Sequence, residues 1–207
     1  MPFITFEGVE GCGKSTQLER LADRLRRAGR PVRVTREPGG TSAGEKVRAI
    51  LMDAEQSALD PTAEWLLIEA ARRQHVREVV APALAENVFL LCDRFLDSTE
   101  AYQGSGRGLD PEWIASVDRR VRDGIVPDLT LLYDLDPREG LARASHRDSG
   151  ASGRFERAGL DLHERVRAAY LNIARREPTR VVVVPVEGDA DAVFARTWKI
   201  VSERFRL

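Results

Sequence analysis

Phe3-Ile4-Thr5-Phe6-Glu7-Gly8-Val9-Glu10-Gly11-Cys12-Gly13-Lys14-Ser15-Thr16 places a short apolar run, a glycine-rich octapeptide and the start of an amphipathic period in direct succession. Residues 8–15 fit G-x-x-x-x-G-K-[ST], and they lie between a strand-like run and a helix-like one, as that motif demands. The glycines let the backbone turn tightly enough to aim several N–H groups at one phosphate, and the helix N-terminus adds the positive end of its dipole. Gly8, Val9, Glu10, Gly11, Cys12 and Gly13 are read as the loop, running into Thr16. Lys14 is read as the point charge for β/γ-phosphate oxygens and the Ser15 hydroxyl as a ligand for Mg²⁺. With 16 glycines and only three lysines in 207 residues, a chance match is expected about 10⁻³ times in such a chain.

The rest of the composition agrees with a folded enzyme-sized unit. At 43% hydrophobic and 31% charged, the chain can bury a core, and disordered, collagenous and coiled-coil classes fit that composition poorly. Its 32 basic and 33 acidic residues leave a net charge of -1, which gives no reason to expect nucleic acid or an anionic membrane as partner. Lys14, Lys46 and Lys199 are the only lysines; every other base is arginine, whose planar fork suits phosphate. No apolar run approaches the roughly 18 residues of a spanning helix, and the N-terminus lacks a signal-peptide pattern. Cys12 and Cys92 have neither metal-ligand spacing nor partners enough for a disulfide framework. A single domain over 1–207 in a reducing, cytoplasmic setting is expected.

Apolar runs at 3–6, 32–35, 88–92, 129–133 and 181–186 alternate with helical periods. Each run is about five residues long with little polar alternation, which is how strands buried on both faces of a parallel sheet read. Leu18, Leu21, Ala22, Leu25 and Ala28 recur at i, i+3, i+4, i+7, predicting a helix over 14–28 stopped by Gly29. Asp60-Pro61, Asp110-Pro111 and Asp136-Pro137 each read as an N-cap followed by proline at the first helical position. The helix after Pro61 is expected to run towards Glu86, with Pro82 kinking or breaking it. The pattern predicts an α/β three-layer sandwich: a five-stranded parallel sheet with helices on both faces and right-handed crossovers. Residues 145–153 are small and polar between flanking arginines, and read either as a solvated loop or as part of a short arginine-bearing lid at about 143–157.

A second motif follows the run at 88–92: Asp93-Arg94-Phe95, then Ser98-Thr99 and Ala101-Tyr102-Gln103-Gly104. Ligands of doubly wound sheets bind beyond the carboxyl ends of the strands, so Asp93 and Arg94 face the site. The carboxylate can hold Mg²⁺, directly or through its waters, or take a proton from an attacking oxygen, and the arginine can grip an acceptor phosphate. A GTPase needs an Asn-Lys-x-Asp guanine reader, and the only asparagines, Asn87 and Asn172, precede Val and Ile. An ATP-using transferase needs an acceptor site, and this second motif offers one.

Phe6-Glu7-Gly8…Gly13-Lys14-Ser15, Thr35-Arg36-Glu37-Pro38-Gly39-Gly40-Thr41, Asp93-Arg94-Phe95…Ser98…Ala101-Tyr102-Gln103-Gly104, Arg154-Phe155-Glu156 and a late helix with His163-Glu164-Arg165-Val166-Arg167 and Tyr170-Leu171 resemble the thymidylate kinases, in order and at similar spacing. The resemblance runs nearly end to end. It implies phosphoryl transfer from Mg·ATP to dTMP, and a homodimer. Carried over by motif, Arg94 and Arg36 hold the dTMP phosphate, and Glu10 lies near the sugar 3′-hydroxyl. Arg72 bonds the thymine edge with Thr99 and Gln103 nearby, Ser98 lies in the same site, and Tyr102 packs where a ribose 2′-hydroxyl would project. Pro38 follows a cis peptide in this family. Because the P-loop's variable positions carry no arginine, the resemblance assigns the extra transition-state cations to Arg143, Arg147 and Arg154.

Two positions depart from the family pattern. Ile68 stands where an aromatic usually stacks on thymine, forgoing on the order of 1 kcal/mol. Gly153 stands where an Asp usually precedes Arg-Phe-Glu, leaving the lid differently anchored. His75, His146 and His163 have no metal spacing and are read as structural or solvated, Cys12 as a small filler, Cys92 as core, and Trp65, Trp113 and Trp198 as helix packing. The alternatives are another small nucleotide or deoxynucleoside kinase, or an ATP-binding regulatory protein without transfer activity.

Overall fold

The five apolar runs become β1 (Phe3–Glu7), β2 (Val32–Arg36), β3 (Phe89–Asp93), β4 (Leu129–Asp134) and β5 (Val181–Pro185), each within one residue of its expected bounds. The structure, a computed structural model, describes residues 2–53, 59–147 and 159–207. All neighbouring strands pair in parallel, in the order β2-β3-β1-β4-β5. The helices are α1 (Lys14–Arg27), α2 (Ser42–Met52), α3 (Pro61–His75), α4 (Ala81–Ala85), α5 (Leu96–Thr99), α6 (Pro111–Val121), α7 (Pro137–Arg147), α8 (Leu160–Arg176) and α9 (Ala190–Phe205).

Successive strand residues feed two cores. Ile4, Phe6, Leu91, Leu129 and Leu131 pack with Leu18, Leu21 and Leu25 of α1, Val166 and Ile173 of α8, and Val193 and Val201 of α9. Phe3, Leu90 and Cys92 pack on the opposite face with Val76, Val80, Ala83 and Phe95. Fully burying one such side chain is worth about 1.5–3 kcal/mol. Burial on both faces holds for β1, β3 and β4, but β2 and β5 correct the expectation: Val32, Arg33 and Val34 are half-buried and Val183 is exposed. These are the sheet's edges, where a strand has one neighbour and incomplete helix cover.

Local signals set the helix ends. Asp60 accepts from the amides of Thr62 (2.8 Å) and Ala63 (3.3 Å), Asp110 from Glu112 (2.9 Å) and Asp136 from Arg138 (2.8 Å), so all three Asp-Pro pairs cap helices. Gly29, at φ +73°, turns the chain out of α1. The helix after Pro61 continues to Ala85 without a break, with Glu86 as its C-cap; a π-helical stretch over Val76–Val80 lies directly ahead of Pro82. A wider turn there accommodates the amide that proline cannot donate.

A polar tie crosses the sheet. Thr5 and Thr130 share a 2.7 Å hydrogen bond across β1 and β4, and Arg180 reaches Thr130 and grips buried Asp97 of α5 through two nitrogens, at 2.8 and 2.6 Å. The far side of the sheet is thereby fastened to the turn that carries Asp93 and Arg94.

Candidate active site

Gly8, Gly11 and Gly13 adopt φ of +143°, +71° and +82°, conformations that glycine takes without Cβ strain. Space enforces the first two as well. A Cβ on Gly8 would stand 2.5 Å from the Tyr133 carbonyl oxygen, and one on Gly11 would stand 2.0 Å from that of Gly140. The approach is reciprocal, since a Cβ on Gly140 would lie 2.3 Å from the Glu10 carbonyl oxygen. The loop is thus pressed between the end of β4 and the first turns of α7, and nothing at sequence level marked Gly140. Val9 and Cys12 are buried beneath it, and burial pushes the Cys12 thiol up, so these two offer backbone only. Gly11, Gly13, Lys14, Ser15 and Thr16 line a cleft of about 360 Å³.

Asp93 is paired in register with Phe6, directly beside the loop. The Ser15 hydroxyl donates to Asp93 Oδ2 at 2.7 Å, and Asp93 Oδ1 is buried with no partner among the described residues. A hydroxyl and a carboxylate with an unspent oxygen are hard donors of the kind Mg²⁺ takes when it arrives with nucleotide phosphates and keeps several waters, so the pair fits that ion.

Arg94 follows in the left-handed region, φ +69°, which swings its guanidinium over the cleft. It donates to Glu10 Oε1 (2.9 Å), to the hydroxyls of Tyr102 (3.3 Å) and Tyr170 (3.2 Å), and to Ser98 Oγ (3.2 Å), and it lies over the Tyr102 ring at 5.0 Å. Tyr102 in turn donates to Glu10 Oε2 at 2.7 Å. Burial opposes the Glu10 charge, but Arg94, hydrogen bonds from His163 and Tyr102, and the charge of Lys14 override it and hold the carboxyl well below the usual range. His163, read as structural or solvated, is buried with Nδ1 3.3 Å from Glu10 Oε2 and belongs to the site. Underneath, the buried carboxyl of Glu7 accepts from Phe95 N–H (2.8 Å) and from the hydroxyls of Ser98 (2.6 Å) and Tyr170 (2.8 Å). Burial, then nearby Asp97, pushes Glu7 up to about 7 against the pull of Arg94 and those donors.

A further cation is present at the same end. Arg36 leaves the edge strand and pairs with Glu45 at 2.8 Å. Pro38 follows a cis peptide, as the resemblance implies, and its carbonyl accepts from Arg48 at 3.1 Å. Both arginines line the cleft with Arg94. Burial, then repulsion from Arg36 and Arg94, lowers the Arg48 pKa, with Glu45 and Asp93 opposing. Arg48 was invisible in the sequence because its distance from Arg94 depends on how α2 folds back.

The α3 side of the cleft is lined by Ile68, Arg72, Phe95, Thr99 and Gln103. Arg72 is fully engaged within the protein: Nε with Glu37 (2.8 Å), Nη1 with Glu69 (2.8 Å) and Asp118 (3.1 Å), Nη2 with Phe95 O (3.2 Å) and Thr99 Oγ1 (2.9 Å). A guanidinium has five N–H groups, so a base edge must share or displace one of these bonds. Ile68 is buried at the wall. Trp65 and Trp113 pack edge to face between α3 and α6 at 4.6 Å, and Cys92 is core. His75 is likewise structural, bonded to Thr35 (2.6 Å) and Glu37 (2.8 Å).

Arg143, on α7, pairs with Glu139 one turn earlier at 2.5 Å and does not line the cleft. The side chains of His146 and Arg147, and residues 148–158 with Gly153, Arg154, Phe155, Glu156 and Arg157, lie outside the described residues.

A phosphate loop between β1 and α1, with an acid and an arginine at the end of the adjacent strand, defines a P-loop phosphotransferase. The model of the thymidylate kinase family matches residues 6–196. Thymidylate kinase of Caulobacter vibrioides is 50% identical over 205 residues, covering 99% of this chain and 98% of that protein. That of Geobacter sulfurreducens is 53% identical over 199 residues, covering 92% and 93%. The crystal structure of the Ehrlichia chaffeensis thymidylate kinase superposes with a TM-score of 0.80 at 32% identity, over 97% of this chain and 98% of that one. This chain belongs to the thymidylate kinase family. Among the described residues no helix is long and apolar enough to cross a membrane.

Proposed function

We propose that the chain transfers the terminal phosphoryl group of Mg·ATP to the phosphate of dTMP, giving dTDP and ADP for dTTP synthesis. The observation that carries this reading is one cleft lined both by the phosphate loop and by a separate set of arginines, Arg36, Arg48 and Arg94, room for donor and acceptor phosphates side by side. The backbone of residues 8–16 cradles the ATP phosphates, and Lys14 bridges the β and γ groups. Ser15 and Asp93 would hold Mg²⁺, which when bound neutralises charge on those phosphates. Arg94 grips the acceptor phosphate, supported by Arg36 and Arg48. Glu10, kept ionised, accepts the sugar 3′-hydroxyl, and the Tyr102 ring fills the space of a 2′-hydroxyl. Thr99 Oγ1 accepts from Arg72 and keeps its own O–H to donate to a base carbonyl, while Arg72 reaches the base by sharing its longest bond, to Phe95 O. Ile68 packs on the base face. The chemistry is alignment and charge stabilisation rather than covalent catalysis. On the family resemblance, Arg143, Arg147 and Arg154 add cations to the transition state, Arg143 after leaving Glu139.

The same reading takes the chain as a cytoplasmic homodimer. Leu66 on α3 and Trp113 on α6 are exposed apolar residues on neighbouring helices, which suits a face covered by a second copy. The deciding measurement is ADP formation from Mg·ATP with dTMP, dUMP, dCMP, dAMP, dGMP, UMP or thymidine. A selective response to dTMP is expected. A stronger response to another acceptor would reassign the base pocket, and silence in a sample that binds ATP would overturn transfer altogether.

A further inference from the structure

We propose that Glu64 is a specificity-determining positioning residue, locking the Gln103 amide so that its carbonyl oxygen faces the cleft as an acceptor for the imide N–H of the substrate base. The inference rests on the dTMP reading above and extends it to a residue that cannot touch the substrate. Glu64 is fully buried on α3. Its Oε1 receives Gln103 Nε2 at 2.8 Å and Arg107 Nε at 3.4 Å, and its Oε2 receives Arg107 Nη2 at 3.1 Å. A carboxylate paired with arginine offers acceptors only, so the amide of Gln103 has one acceptable orientation, nitrogen towards Glu64. Gln103 Oε1 takes no bond among the described residues and is not sealed from the cleft that Gln103 lines.

Thymine and uracil carry a proton on N3 between two carbonyls, whereas cytosine has a bare N3 beside an amino group. An acceptor fixed opposite N3 therefore favours the imide and leaves a cytosine N3 facing an oxygen, an unpaired buried contact that a site built for hydrogen bonding rejects strongly. Replacing Glu64 by glutamine reverses the logic. Arg107 can only donate, and its shorter bond is the one to Oε2, so the new amide keeps its carbonyl on Nη2, gives up the 3.4 Å contact from Nε and turns its NH₂ towards Gln103. The Gln103 amide then inverts and presents N–H to the cleft. Adding Gln103→Glu restores an acceptor there, since one carboxylate oxygen takes the new amide and the other faces the base.

The test is kcat/KM for dTMP, dUMP and dCMP, with KM for ATP and a thermal melt, on wild type, Glu64→Gln and the double variant Glu64→Gln/Gln103→Glu. In Glu64→Gln the dTMP-to-dCMP ratio should fall about tenfold or more while KM for ATP stays within about twofold. The double variant should recover most of the ratio. An unchanged ratio, an equal loss on both acceptors, or no recovery overturns the proposal; a wild type inactive on dTMP overturns the functional reading instead. Wild type supplies an independent arm should the variant not fold: N3-methyl-dTMP should bind at least about tenfold more weakly than dTMP, and equal binding overturns the acceptor role of Gln103.

Discussion

Gly140→Ala is the sharpest test of how the phosphate loop is held. The added methyl would sit 2.3 Å from the Glu10 carbonyl oxygen, whereas real Cβ contacts essentially never fall below 3.0 Å. Either α7 or the loop must move by at least 0.7 Å, the difference between those two distances. Close-packed surroundings do not absorb such a shift locally. A displacement of about 1 Å at a reacting centre costs up to about 10²-fold in rate, so kcat/KM for ATP should fall about tenfold to a hundredfold. Stability should suffer less. Overpacking costs about 1–3 kcal/mol, alanine in a helix returns up to about 1 kcal/mol, and at about 2–4 °C per kcal/mol for a chain of this size the melting temperature drops by less than about 12 °C. Gly159→Ala, whose Cβ meets nothing within 4 Å among the described residues and whose φ is ordinary, is the control and should leave kinetics unchanged. Steady-state kinetics at 25 °C and a melt decide the matter. Gly140→Ala turnover within about twofold of wild type, in a folded sample, would refute the close approach of α7 to the loop.

Arg94→Ala removes the donor shared by Glu10, Ser98, Tyr102 and Tyr170; kcat/KM for dTMP should drop about 10³-fold, on the scale of a lost charge clamp, with ATP affinity changed only a few-fold by titration calorimetry, and equal loss for both would move Arg94 from the acceptor. Arg180→Met leaves Asp97 as an uncompensated buried charge, so chemical denaturation should register about 3–5 kcal/mol of lost stability, while a loss under about 1 kcal/mol would show the pair is not sealed from water. Burial, with Asp118 and Glu37 adding to it against Arg72, raises Glu69 from an ordinary 4.5 to about 7. The folded state therefore keeps a proton that the unfolded chain releases, so this group's contribution declines as pH rises from 4.5 to 7, by about 3 kcal/mol in all. Glu69→Gln should gain on wild type by about that amount across the window and hold level above it; a difference independent of pH would refute the shift.

The features legible in the sequence are those decided within a few residues. The phosphate loop is a strand, three glycines and a helix start in contiguous chain, and its chemistry lies in its own backbone. Asp60, Asp110 and Asp136 cap helices through amides two or three residues on, and apolar runs of five residues read as strands because burial on both faces leaves no polar alternation. The family motifs carried Arg94, Asp93, Tyr102 and Gln103 into the site for the same reason. Tertiary structure decided what depends on distant partners. Gly140 is an unremarked helix residue until α7 meets Glu10, and Arg72 is a free guanidinium on paper until Glu69 of its own helix, Glu37 after β2, Thr99 of α5 and Asp118 of α6 converge on it. His163 and Glu7 look like ordinary helix and strand residues, and become the supports of Glu10 and Arg94 only because α8 brings His163 beside Glu10 and Tyr170 onto Glu7. Which strands are edges, and so half-exposed, is a property of sheet order rather than of any strand's composition. Hydrogen bonds and close contacts between segments far apart in the chain are set by packing, and no local pattern encodes which partner a buried charge will meet.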